Sequence, residues 1–151
     1  MGTINLQRVL LGGLLAGVVI NGGEMLFHTV LFGDTVQAAM AAIGRTMPEG
    51  GSMMAYWMAF GFVYGIALVL VYAAIRPRFG ASVKTAVYAG LLVWLFGGLL
   101  HALGEIPMGL LPRNIYVLGT VWNLVQLPIA AVAGAWLYKE EPAAQPAHAM
   151  V

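Results

Sequence analysis

The sequence predicts an all-α protein, a four-helix transmembrane bundle built as two helical hairpins with its N- and C-termini cytoplasmic. Three observations predict it. Of 151 residues, 61% are hydrophobic and only 9% charged, too few charges to clothe a water-soluble domain of this size. Four apolar stretches are each long enough to cross a hydrocarbon core of about 30 Å, which takes roughly 20 helical residues. The seven Lys and Arg residues are unevenly shared between the two ends of those stretches, as the positive-inside rule describes.

The first stretch runs over about 6–32, behind Arg8. A cleaved signal peptide ending near Ala38 to Ala42 is the competing reading, but the apolar run is too long for a signal core, so an uncleaved helix is expected. After it, Asp34 and Gln37 have the spacing of a capping box, and Val36, Met40, Ile43 and Met47 continue at helical spacing towards Gly44, Pro48 and Gly50-Gly51. A short amphipathic surface helix over about 35–44 is expected, either lidding a cavity or sealing the bundle end.

The second stretch, about 53–75, has Ser52 to cap it and Pro77 to follow it; the third, about 83–106, has Ser82 ahead and Pro107 and Pro112 behind. The fourth, about 115–138, follows Asn114 and contains Pro128, which removes the bond to the Leu124 carbonyl and is expected to bend the helix. Tyr56, Trp57, Tyr72, Tyr116, Trp136 and Tyr138 gather near helix ends, where amphipathic rings meet lipid headgroups. Residues 1–139 thus form the transmembrane domain. The Ala- and Pro-rich tail 140–151 reads as disordered, which removes its His148 from consideration.

Arg8, Arg76, Arg78, Lys84 and Lys139 fall on one side, Arg45 and Arg113 on the other, so both termini are expected in the cytoplasm of a bacterial inner membrane. A net charge of +1 without a basic run argues against nucleic acid as a partner, and the absence of cysteine excludes disulfides, thiolate ligands and thiol chemistry. Gly13 and Gly17, Gly61 and Gly65, and Ala130 and Gly134 supply small-residue faces for close helix contact.

Ionisable residues inside the stretches carry the functional signal. The first holds Glu24 and His28 and the third His101 and Glu105, each pair at i, i+4 on one helix face. Both helices run the same way, so Glu24 comes level with His101 and His28 with Glu105, and the four are expected as two rungs of a ladder. Asn21, Asn123 and Gln126 occupy the same half of the bundle. Such residues are expensive in a membrane and are functional candidates by default.

Three readings follow. The two His and two Glu suit zinc or iron, or haem through a histidine, although the carboxylate-metal bundle motif is Glu-x-x-His at i, i+3. They suit equally a polar cavity for protons or a small substrate, or hydrogen bonds that join helices. Trp94 and Trp122 are placed to touch a pigment or quinone ring, or to serve as packing. Each half of the chain also has a Gly-Gly pair, Gly22-Gly23 or Gly97-Gly98, before its His and Glu, a weak twofold repetition.

The segments Val19-Ile20-Asn21 to Leu31-Phe32-Gly33, Leu92-Val93-Trp94 with Gly97, and Trp122-Asn123 to Gly134-Ala135-Trp136 resemble a family of small four-span bacterial membrane proteins known as a domain of unknown function. Where that family has a Trp-Tyr pair ahead of the Leu-Phe-Gly turn, this chain has Phe27-His28. The resemblance implies four spans and no site residue.

No nucleophile and base, phosphate loop or dinucleotide fingerprint is present, so the expectation is a binding or transport component and not a stand-alone enzyme. The alternative is a structural subunit of a larger membrane complex, or a homodimer.

Overall fold

The computed structural model describes residues 3–46 and 50–140, and among them there is no β-strand. Four long helices, Leu6–Leu31, Gly51–Phe79, Val83–Met108 and Arg113–Leu137, are long and apolar enough to cross a membrane. A short helix, Gly33–Ala42, lies between the first two. The end of the bundle that carries it is here the loop-helix end; the other is the terminal end. Met47, Pro48 and His148, with the rest of the tail beyond Glu140, lie outside the described residues.

Several helix ends differ from the sequence expectation. The first helix is capped by Asn5, whose Oδ1 accepts from the Arg8 N–H at 3.0 Å. Ser82 caps the third, accepting from the Thr85 N–H at 3.2 Å. Ser52 and Asn114 are not caps: the second helix begins at Gly51 and the fourth at Arg113, after Pro112, whose fixed φ suits a helix start. Asp34 and Gln37 form no capping box, because Phe32 holds the cap position and Asp34 already lies in the first turn.

Pro77 does not end the second helix either. A proline removes its own N–H bond and crowds the carbonyl four residues back, yet the helix runs on to Phe79, where Gly80 at φ +82° turns the chain and its N–H closes on the Arg76 carbonyl at 2.8 Å. The fourth helix continues through Pro128. A Cβ at Gly90 would stand 2.5 Å from Pro128 Cα, so the third helix packs backbone to backbone at that point.

Around the bundle the first helix packs on the second and fourth, and the third on the fourth and second, while the first and third stand diagonally and barely touch. Small residues decide this order. Gly65 lies against the backbone of Gly13 and Gly17, and a Cβ at Gly12 would come 2.5 Å from the Gly134 carbonyl oxygen. Only glycine permits such approach, which lets dispersion forces act where lipid offers no hydrophobic gain. Ala16, Leu68, Val69, Ala73, Ala86, Ala89, Ala130 and Ala131 are fully buried in this terminal half.

The loop-helix half is different. Val36 and Met40 of the short helix pack with Phe27, Phe32, Ile115, Leu118 and Trp122, joining it to the first and fourth helices. Across the bundle, Gly51 to Phe60 of the second helix and Leu95 to Leu100 of the third contain no buried residue. An apolar seam lined by Tyr64, Leu92, Phe96 and Gly97 lies between these two helices, and Tyr56, Trp57 and Phe60 are exposed. The first and third helices each contain a π-helical segment in this half, Leu26–Leu31 and Leu95–Leu100. Such wider turns are rare, rotate the residues beyond them onto a new face and recur at functional sites.

Candidate functional site

Glu24 and His28 lie on the first helix with His28 Nε2 3.5 Å from Glu24 Oε2. The fourth helix holds this pair. Gln126, only 5% exposed, donates from Nε2 to Glu24 Oε1 at 3.2 Å and to the Ile20 carbonyl at 3.1 Å. Gly23 makes room for its amide, since a Cβ there would come 2.5 Å from Gln126 Oε1. Asn21 reaches the other way and donates to the Met58 carbonyl of the second helix at 3.1 Å.

The second pair lies on the third helix, with His101 Nε2 3.3 Å from Glu105 Oε1. Again the fourth helix supplies the outside bond: the Tyr116 hydroxyl donates to Glu105 Oε2 at 3.0 Å. Trp94 Nε1 donates to the Thr120 carbonyl at 2.8 Å, tying the same two helices one level deeper. Asn123 is half-buried, and its side chain joins neither pair.

Both pairs belong to the loop-helix half of the bundle. Glu24 and His101 are each seven residues from the loop-helix end of their helix, at Leu31 and Met108, and His28 and Glu105 are each three residues from it. All four side chains stay accessible, by 39% for Glu24, 43% for His28, 61% for His101 and 32% for Glu105. Two buried polar atoms beside the first pair, Gln126 Oε1 and Trp122 Nε1, have no hydrogen-bond partner among the described residues.

The expected four-residue ladder resolves, within one copy of the chain, into two separate pairs, because the helices that carry them are diagonal. Among the described residues no group of three or more His, Cys, Asp or Glu stands close enough to hold a metal ion, and a protein zinc site takes three or four such ligands. Trp94 is engaged with Thr120, and Trp122 packs 5.6 Å from the Phe27 ring. Each pair sets an imidazole against a carboxylate, two groups whose general chemistry is proton exchange.

Tyr116 belongs to the site and was read from sequence only as an interfacial ring. Its depth was the available signal: three residues into the fourth helix from Arg113, it comes level with Glu105, three residues before Met108. Two concavities lie apart from both pairs. One, about 620 Å³, is an open hollow between the short helix and Pro112 and Asn114; the other, about 340 Å³, is an apolar groove in the seam between the second and third helices. Comparisons with protein-family models, with curated proteins and with solved structures return no match for this chain.

Proposed function

We propose that this chain is a small integral protein of a bacterial cytoplasmic membrane, with both termini cytoplasmic, whose Glu24–His28 and His101–Glu105 pairs form an outward-facing site that binds and releases protons. It acts as a binding or transport component and not as a stand-alone enzyme. The observation that carries this reading is the presence, in the same half of the bundle, of two accessible carboxylate–imidazole pairs, each held by a polar side chain of the fourth span.

The physical argument is one of cost. A span of 26 residues is about 39 Å long at 1.5 Å per residue, some 9 Å more than the hydrocarbon. In a centred span Glu24 and His101 then lie roughly 6 Å inside the hydrocarbon boundary, while His28 and Glu105 lie at it. Ionisable residues there cost on the order of kilocalories per mole to insert, and they are accommodated where they pair or face water. The positive residues beside the terminal end support placing that end in the cytoplasm, and hence the pairs on the outer side. The packed terminal half, filled by Ala16, Leu68, Val69, Ala130 and their neighbours, favours a site open to one side only.

Because the chain has no cysteine, access can be tested with single introduced thiols in right-side-out membrane vesicles. Glu24→Cys and His101→Cys are expected to react with a charged, membrane-impermeant thiol reagent added outside, and Ala131→Cys to stay unreacted. Reaction of the first two only from the inside, or no reaction in folded protein, would overturn the reading.

A further inference from the structure

We infer that the tip joining the second and third spans is a contact site for an anionic phospholipid, with Arg78 and Lys84 taking its phosphate and Phe79, Val83 and Tyr88 its apolar part. The site lies at the terminal end of the bundle, away from the Glu/His pairs, and is independent of their protonation.

The sequence leaves this hairpin with uncompensated charge. From Gly50 to Gly104 there is no Asp or Glu, and the only Lys and Arg residues are Arg76, Arg78 and Lys84. All three gather at the turn, where Gly80 ends the second helix and Ser82 caps the third.

The fold then divides the three cations. Arg76 is engaged within the protein: its side chain is 19% exposed, with Nη1 3.5 Å from Glu140 Oε1 and the guanidinium 5.4 Å from the centre of the Tyr138 ring. Arg78 follows two residues later, about 200° further round the helix, and is exposed, as is Lys84. Neither joins an ion pair among the described residues. Their charge is therefore available to an anion from outside the chain.

Apolar surface adjoins these two cations. The Lys84 ammonium stands 5.6 Å from the centre of the Tyr88 ring, and that ring meets Phe79 edge to face at 5.9 Å. Phe79 is 57% exposed and Val83 66%, so the tip presents cations and uncovered apolar groups side by side.

This combination selects the partner. A soluble phosphate answers the cations and leaves the rings uncovered, while a zwitterionic lipid covers the rings and brings no net charge. An anionic phospholipid does both. Lys and Arg clustered beside a membrane span attract such headgroups, and a lysine stem lies along apolar surface while its ammonium reaches the headgroup layer.

Because the chain has no cysteine, Ala81→Cys gives the full-length protein a single thiol at the tip for a fluorophore. The labelled protein is held in phosphatidylcholine nanodiscs that contain a minor fraction of phosphatidylglycerol, or of phosphatidylcholine, with a nitroxide quencher near the top of the acyl chain. Relative association read from the quenching is expected to favour phosphatidylglycerol roughly fivefold, the scale of one cation near an anionic lipid surface. Arg78→Gln and Lys84→Gln should each lower that preference and together abolish it, whereas Arg45→Gln at the loop-helix end should leave it unchanged. A monodisperse profile in mild detergent checks that each variant is folded. Inorganic phosphate added at constant ionic strength should not displace the lipid; displacement would assign the site to a soluble phosphate and overturn the proposal. Equal quenching by the two lipids, or a preference that survives the double variant, would overturn it as well.

Discussion

Gln126 gives both of its amide N–H groups to the first helix, one to Glu24 Oε1 at 3.2 Å and one to the Ile20 carbonyl at 3.1 Å, and its own buried carbonyl oxygen has no partner among the described residues. The side chain is thus a positioning group for Glu24 whose own satisfaction is incomplete.

That imbalance predicts the stability of Gln126→Leu. Interhelical hydrogen bonds in membranes average about 0.6 kcal/mol each, while a buried unsatisfied acceptor costs about 1–3 kcal/mol. Losing two bonds together with the orphaned oxygen should leave stability within about 1 kcal/mol of the parent or slightly above it. Unfolding in mixed detergent micelles measures this, and a loss of several kilocalories per mole would show that Gln126 holds the helices together.

At the second pair, Tyr116 and Glu105 meet at 3.0 Å. A double-mutant cycle with Tyr116→Phe and Glu105→Gln should return a coupling of about 0.5–2 kcal/mol. The cycle of Tyr116→Phe with Glu24→Gln should return none, because that carboxylate bonds to Gln126 instead.

Close backbone packing makes a sharper contrast. Gly65→Ala forces a methyl group into the backbone of Gly13 and Gly17 and should destabilise by about 1–3 kcal/mol, as overpacking does. Gly119, with nothing among the described residues within 4 Å of a Cβ, should tolerate alanine or gain about 0.5–1 kcal/mol from the lower backbone entropy of the unfolded chain. Both are read from the same unfolding curves.

Much of this was legible in the residues because the bilayer imposes a length. Four apolar runs could hardly be anything but four long helices, and i, i+4 spacing places Glu24 on His28 and His101 on Glu105 by helix geometry alone. Which helices adjoin was not legible in that way. It depends on Gly13 and Gly17 meeting Gly65, and Gly12 meeting Gly134, and small residues mark a contact face without naming its partner. For that reason the two pairs read as one ladder in sequence and stand apart on diagonal helices in the fold. The π segments escaped as well, since a widened turn leaves no mark on apolar runs without a polar face. Pro77 misled because a proline in the last turn loses a single bond, while Gly80 carries the actual stop.

The central claim, two carboxylate–imidazole pairs that exchange protons with the outside, is tested most directly by nitrogen-15 magnetic resonance of the histidine rings. The protein would be held in right-side-out vesicles and the pH stepped on one side at a time. The rings of His28 and His101 are predicted to change protonation when the outer pH is stepped and to ignore the inner pH. Rings that respond to neither side, or to the inner side alone, would contradict the account.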